Sequence, residues 1–106
     1  MGLVSRIVAP EKLMETARGV AEEIANNTSA ISTALAHQML WKGLGADHPM
    51  AMHILESKGL DYMFTSEDCK EGVMSFLEKR PAEFKMKPSQ EMPDFYPWWE
   101  ERQFKD

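Results

Sequence analysis

Residues 66–81, SEDCKEGVMSFLEKRP, have the pattern of one helix with a marked beginning and a marked end. A hydroxyl residue and two acidic residues open the stretch, and they suit the positively charged N-terminus of a helix. Lys79 and Arg80 close it and suit the negatively charged C-terminus, and Pro81 prevents the helix from continuing. The apolar residues at helical spacing are Cys69, Val73, Phe76 and Leu77. The stretch therefore predicts a helix over 66–80.

Three more helices are predicted upstream of this one. Pro10 fits the first turn of the first helix, where its missing N–H costs nothing. The apolar stripe of the first helix contains Leu13, Ala17, Val20, Ala21 and Ile24. The stripe of the second contains Ile31, Leu35 and Met39, and that of the third contains Met52, Leu55, Tyr62 and Met63. These stripes predict amphipathic helices that pack on one another.

The ends of these helices are also marked. Thr28 or Ser29 is expected to cap the second helix, Asp47 the third, and Thr65 or Ser66 the fourth, while Gly43 and Gly45 end the second. The four helices are expected near 10–26, 29–43, 48–64 and 66–80. The predicted fold class is all-α, with about four helices.

The two ends of the chain differ from this helical region, residues 10–85. Residues 1–9 contain a short apolar segment, LVSRIV, which predicts an extended lead. Residues 86–106 lack a helical period and predict an irregular tail that contains Phe95, Tyr96, Trp98, Trp99 and Phe104. The two tryptophans could anchor a partner, since tryptophan is enriched at interface centres, or they could pack back on their own helices.

The composition limits the class of protein. The chain has 106 residues and a formal net charge of −5, which suits one small domain and argues against a nucleic-acid binder. No apolar run is long enough for a membrane span. The single cysteine, Cys69, cannot form an internal disulfide, so a reducing compartment is expected. The interpretation is a cytoplasmic protein without a membrane or nucleic-acid partner.

Two phrases in the sequence resemble the C-terminal end of the enoyl-CoA hydratase/isomerase (crotonase) family. GLVSRIVAPEKL, residues 2–13, is similar to the family's G-L-V-x-x-V-V-P segment, which closes its catalytic core. The second phrase, FTSEDCKEGVMSFLEKRPAEF, is the more specific of the two. The residues that match the family's closing phrase are Phe64, Ser66, Asp68, Glu71, Gly72, Phe76, Glu78, Lys79, Arg80 and Phe84. The resemblance covers residues 2 to about 85.

The resemblance implies a coenzyme A contact at the end of the fourth helix. A lysine at the position of Lys79 reaches the phosphates or the adenine end of coenzyme A in such proteins, and Arg80 stands beside it. Leu60 stands where some members place a phenylalanine against the adenine. The local charge agrees, because residues 79–87 carry four basic residues and one acidic residue.

By the same resemblance, the oxyanion hole and the acid–base carboxylates of the family lie upstream of residue 2. The expectation is a C-terminal domain or fragment of an acyl-CoA enzyme, without catalytic residues and inactive alone. It would serve subunit assembly and cover the site for the coenzyme A thioester, the substrate of the parent enzyme. Its expected partners are the upstream core and further copies of itself. The alternative is a freestanding helical interaction module derived from this family.

Other candidate sites have simpler interpretations. Glu71 and Glu78 lie on one helical face without a base partner, so a solvated or structural role is favoured. The histidines, which are His37, His48 and His53, lack the spacing of a metal site. Cys69 is interpreted as a small packing residue, and Met39, Met63 and Met74 as core filling.

Overall fold

The computed structural model describes residues 2–103, and the predicted tail residue Phe104 lies outside them. Four α-helices follow one another in this part of the chain: α1 (Leu13–Asn27), α2 (Ala30–Gly43), α3 (Pro49–Phe64) and α4 (Glu67–Glu78). A 3-10 turn over Pro10–Lys12 leads into α1. Between residues 2 and 103 there is no β-strand, so the prediction of an all-α fold is confirmed.

The helix caps follow the predictions at two of three positions. Ser29 caps α2, where the N–H of Ser32 donates to its Oγ over 3.5 Å, and Ser66 caps α4, where the N–H of Cys69 donates to its Oγ over 3.1 Å. The prediction of Asp47 at α3 is wrong. His48 takes that position, and its Nδ1 accepts from the N–H of Met50 over 3.0 Å. The imidazole nitrogen supplies the same lone pair that a carboxylate would supply.

The core lies between α2 and α3. Ile31 is 0% exposed and Leu35 is 3% exposed, as their positions in the α2 stripe predict. A glycine lets the helices approach closely at one point, where a Cβ on Gly43 would lie 2.9 Å from Met52 Cγ. Gly59 is buried, and a Cβ there would lie at an ordinary contact distance of 3.8 Å from Leu35 Cδ1. The α4 helix also packs on α3. These contacts make α2, α3 and α4 one packed unit.

The apolar stripe of α1 has no such cover. All of its predicted members are exposed, and no residue of α1 is buried. Most of the apolar face of α4 is also open, since Val73, Phe76 and Leu77 are 54%, 82% and 66% exposed, whereas Cys69 is half-buried. The radius of gyration is 17.2 Å, whereas a compact domain of this length has one of about 13 Å. Much of the amphipathic pattern therefore points outward.

The methionines predicted to fill the core lie at its edge. Met39 and Met63 are half-buried and Met74 is exposed, because the buried centre of the α2–α3 contact is small. The lead, residues 2–9, has no regular structure and leaves Leu3 and Ile7 exposed. No helix of residues 2–103 combines the length and the apolar character that crossing a bilayer requires.

Candidate functional site

The candidate site lies where α4 ends. The helix stops at Glu78, two residues before the predicted end, because Lys79 adopts the left-handed conformation with φ 55° and ψ 41°. The N–H of Lys79 donates to Phe76 O over 3.3 Å, and the N–H of Arg80 donates to Ser75 O over 3.0 Å. This pair of bonds is a Schellman motif, which usually places glycine at the left-handed position. The sequence gives no glycine there, so the early end was not predictable.

Arg80 turns back onto α4 and binds two of its three glutamates, Glu71 and Glu78. Its Nη1 and Nη2 donate to the two carboxylate oxygens of Glu71 over 2.6 and 2.9 Å, and its Nε donates to Glu78 Oε2 over 2.6 Å. A bidentate guanidinium–carboxylate pair fixes orientation as well as charge. Glu71 and Glu78 therefore have the structural role favoured from the sequence, and the charge of Arg80 is compensated within the chain.

The segment that follows Arg80 returns along α4 and is held by two carboxylates. Glu71 Oε1 accepts from the N–H of Glu83 over 2.8 Å. Asp68 Oδ1 accepts from the N–H groups of Lys85 and Met86 over 3.0 and 3.2 Å, and Asp68 is buried. Between these anchors the ring of Phe84 packs over Gly72, where an added Cβ would lie 3.7 Å from Phe84 Cε1. The closing phrase thus encodes a chain reversal on α4.

The reversal perturbs the ionisation of the pair at its centre. The hydrogen bonds from Arg80, the backbone N–H of Glu83 and the positive charges of Arg80 and Lys85 lower the pKa of Glu71 from its ordinary value of 4.5 to about 2. The hydrogen bonds to Glu71 and Glu78 raise the pKa of Arg80. Both groups stay charged at neutral pH, as a permanent structural ion pair.

Residues 79–87 carry three exposed lysines, which we call the lysine row. Lys79, Lys85 and Lys87 are exposed, and in the described residues none of their ammonium groups forms an ion pair. The backbone of Lys85 is fixed by Asp68, and that of Lys87 by Glu91, whose Oε2 accepts its N–H over 2.9 Å. Three unpaired ammonium groups make this end of α4 locally positive, which favours an anion such as a phosphate.

The third predicted site residue, Leu60, lies apart from this reversal along the chain, on α3. It is 64% exposed, and it belongs to the helix against which α4 packs. Phe64 of the same helix and Phe76 of α4 are also exposed, so α3 and α4 both present apolar surface. The structure brings Lys79 and Arg80 together at one helix end and assigns them different environments, one open and one paired.

A groove runs beside the reversal. It has a volume of about 600 Å³, and Ser29, Asp68, Cys69, Phe76 and Phe84 are among the residues that line it. Asp68 Oδ2 is buried at its edge with no hydrogen-bond partner. Cys69 is half-buried in the groove wall, in agreement with its interpretation as a packing residue. The groove is mainly apolar, so it suits hydrocarbon contacts.

The histidines serve local structure. His48 caps α3, and His53 Nδ1 lies 3.7 Å from Glu56 Oε2 on the surface of the same helix. Within residues 2–103 no three histidine, cysteine or acidic side chains are grouped as metal ligands. The anchoring role of Asp68 was missed from the sequence, although its place in the closing phrase, three residues before Glu71, was the available signal.

Comparison with known proteins shows a family match over most of the chain. The family profile described as enoyl-CoA hydratase/isomerase matches residues 1–87. A probable enoyl-CoA hydratase of Rhizobium meliloti is 39% identical over 84 residues, which are 79% of this chain and 32% of that protein. A short-chain-enoyl-CoA hydratase of Clostridium acetobutylicum is 34% identical over 83 residues, which are 78% of this chain and 31% of that protein.

Solved structures give the same result. A probable enoyl-CoA hydratase/isomerase from Mycobacterium abscessus superposes with a TM-score of 0.73 at 25% identity and covers 81% of this chain and 34% of that one. The chain thus spans about a third of the length of the relatives it matches. The anchored reversal coincides with the end of the matched residues. The chain belongs to the enoyl-CoA hydratase/isomerase family.

Proposed function

We propose that this chain acts as the helical C-terminal part of an acyl-CoA enzyme, where it serves subunit assembly and covers the coenzyme A site. The observation that carries the proposal is the lysine row on the anchored reversal at the end of α4. It offers positive charge to a phosphorylated ligand in a chain whose net charge is −5.

The assembly role is supported by the open apolar faces. The stripe of α1, the lead and the apolar side of α4 are all exposed, and the larger relatives contain about twice as much additional chain that could cover them. Exposed apolar surface of this extent is typical of protein–protein contact. We assign these faces to contacts with the family's catalytic core and with other subunits.

The coenzyme A role rests on Lys79. Its backbone is fixed by the Schellman motif and its ammonium group is unpaired among the described residues, so it can reach a phosphate oxygen. Arg80 is given a positioning role, because its guanidinium already binds Glu71 and Glu78. Leu60 would offer apolar contact near the adenine in place of an aromatic ring.

Catalysis by the chain alone is not expected. By the family resemblance, the oxyanion hole and the acid–base carboxylates belong to the part upstream of residue 2. Purified chain freed of host enzymes should leave the absorbance of crotonyl-CoA unchanged. Turnover in that sample would contradict this part of the proposal.

A hybrid enzyme tests the proposal directly. The matched region of the Clostridium acetobutylicum relative is replaced by residues 2–87 of this chain, and hydration of crotonyl-CoA is followed. We expect an active hybrid in which Lys79→Gln raises KM about three- to tenfold with little change in kcat, since an exposed lysine–phosphate contact contributes on the order of 1 kcal/mol.

The matched control is Lys70→Gln, which removes an exposed lysine from the middle of α4. It should leave KM unchanged. Equal KM values for the hybrid and its Lys79→Gln variant would contradict the phosphate contact. A hybrid that folds and assembles without any activity would contradict the proposed place of the chain in the enzyme.

The exposed α1 face also supports the second candidate, a freestanding interaction module. Both functions predict that the isolated chain self-associates, because unpaired backbone in the lead and open apolar faces recruit other copies. Sedimentation at micromolar concentration should show a dimer or larger species. A single species near the chain mass of 12.1 kDa would contradict both candidates.

A further inference from the structure

The tail continues beyond the family match, and it lies on the helices. The match ends at residue 87, whereas the structure describes the chain to residue 103. Pro93 is buried, and Phe95, Tyr96, Trp98 and Trp99 are half-buried, although the segment has no helix or strand. These aromatic side chains pack on one another, and Tyr96 and Trp99 also lie beside residues of α1 and α2. The tail is therefore a packed part of the fold.

The first attachment of the tail is on α3. Tyr62 Oη donates to Glu91 O over 2.7 Å. Glu91 also closes a turn on the chain before it, because its N–H donates to Lys87 O over 2.9 Å and its Oε2 accepts from the N–H of Lys87 over 2.9 Å. We call Tyr62 and this turn the inner anchor. It fixes the start of the tail against the end of α3.

The second attachment is on α2, and we call it the outer latch. Lys42 Nζ lies 4.5 Å from the ring centroid of Trp99 and 4.0 Å from Glu101 Oε1. Trp99 Nε1 donates to the same carboxylate oxygen over 2.7 Å. One lysine thus contacts an aromatic face and a carboxylate that are already joined to each other. The arrangement is attractive for a cation on both counts.

Three aromatic rings hold the outer latch in shape. Tyr96, Trp98 and Trp99 pack edge to face, with centroid distances of 5.0 to 6.0 Å. Tyr96 lies at a cleft of about 570 Å³ between α1 and α2, and Trp99 lies over a smaller cavity beside Trp41. The cluster therefore covers part of the outer surface of α2 and the joint between α1 and α2.

We propose that residues 88–103 form an intramolecular strap that braces α2 against α3, and that Lys42 with Trp99 and Glu101 is a reversible latch that closes it. The strap spans the pair of helices that holds the core, with one attachment on each. The outer latch opens more readily than the inner anchor, because Glu101 is exposed and its ion pair with Lys42 is long. Opening uncovers the aromatic cluster and the α2 surface around Trp41.

The strap predicts that Trp99 packs within its own chain and not on a second copy. A tail that clasped a second copy would present Trp99 to another molecule, whereas here its ring faces Lys42 of the same chain. Protection of the Trp99 indole should therefore be independent of protein concentration. The inference does not rest on the proposed enzyme function, since its contacts lie within this chain.

Indole N–H exchange measured by NMR tests the latch. The chain has three tryptophans, so three indole signals are expected. The signal that disappears in Trp99→Phe is the signal of Trp99. Lys42→Gln should speed exchange of the Trp99 indole about two- to fivefold, the range of an exposed cation–π contact. Lys58→Gln on the exposed side of α3 is the matched control and should leave this rate unchanged.

Two further measurements complete the test: the exchange of backbone amides, and indole exchange at several protein concentrations. The Glu91 amide should keep its exchange rate in Lys42→Gln, because the inner anchor stays closed, and unchanged helix amides show that the variant is folded. An indole rate equal in the wild type and Lys42→Gln would overturn the latch. Indole protection that grows with protein concentration would overturn the intramolecular strap and assign the tail to a second copy.

Discussion

The first and the fourth helix of this chain carry equally clear apolar stripes, yet their surroundings differ. No residue of α1 is buried, whereas α4 is capped by Ser66, and its Asp68 and Glu71 hold the segment that returns along it. The polar residues of α4 and its cap fix the path of the chain by hydrogen bonds within residues 66–87. The apolar stripe of α1 stays exposed among the described residues.

The largest effect is expected from truncating one buried isoleucine and comparing it with an exposed one. Ile31 on α2 is 0% exposed and Ile24 on α1 is 48% exposed. In the isolated chain, Ile31→Ala should lower the free energy of unfolding by about 2–4 kcal/mol, the cost of a cavity in the core. Ile24→Ala should change it by less than about 1 kcal/mol. Urea unfolding measures both, and equal losses would remove the distinction between the helices.

The reversal on α4 can be broken at Asp68. Asp68→Ala removes the acceptor for two backbone N–H groups in a buried place and should lower the free energy of unfolding by about 2–3 kcal/mol. Asp68→Asn keeps one side-chain oxygen and should lose less. Urea unfolding compares the two variants. A loss in Asp68→Ala no greater than in Asp68→Asn would show that these bonds contribute little.

A stabilising change is expected at Lys79. Its φ of 55° strains any residue with a Cβ, and glycine adopts this conformation freely. Lys79→Gly should therefore raise the free energy of unfolding of the isolated chain by about 1 kcal/mol. Lys79→Gln removes the same charge without relieving the backbone, and it should not stabilise. If both variants behaved alike, charge rather than backbone strain would determine stability at this position.

The smallest effect is a dependence of stability on pH. The pKa of Glu71 is lowered to about 2 in the folded chain, so its contribution to stability is present above the ordinary value of 4.5 and is lost as pH falls toward 2. Solvent screening keeps this contribution modest, because the pair is at the surface. Thermal unfolding of Glu71→Gln between pH 7 and 2 should show a weaker loss than the wild type. Parallel pH profiles would contradict the ion pair.

The local parts of this structure were predictable and the long-range parts were not. Helix positions, the serine caps and the α2 stripe follow from spacing and hydrogen-bonding capacity within a few residues. His48 replaced the predicted Asp47 cap because several side chains can supply the same lone pair. The end of α4 was missed because a lysine, not a glycine, takes the left-handed position. The exposure of α1 could not be predicted, because periodicity shows that a helix has an apolar face but does not show what covers that face.

The candidate site was partly contained in the closing phrase. That phrase named Asp68, Glu71 and Arg80 together, but only the structure shows that they bind one another and the returning backbone. The path of the tail could not be predicted, since Lys42 and Trp99 are far apart in sequence and carry no shared motif.

The difference in protection between α1 and α4 is most directly measured by amide hydrogen exchange. The measurement is made in two settings, the dilute isolated chain and the hybrid enzyme with the Clostridium acetobutylicum relative. The amides of α4 should be protected in both, because this helix packs on α3 and is covered by the returning segment of the same chain. The amides of α1 should exchange readily in the isolated chain and about 100-fold or more slowly in the hybrid, where a core and neighbouring subunits would cover the apolar stripe. Protection of α1 that is the same in the two settings would contradict the account.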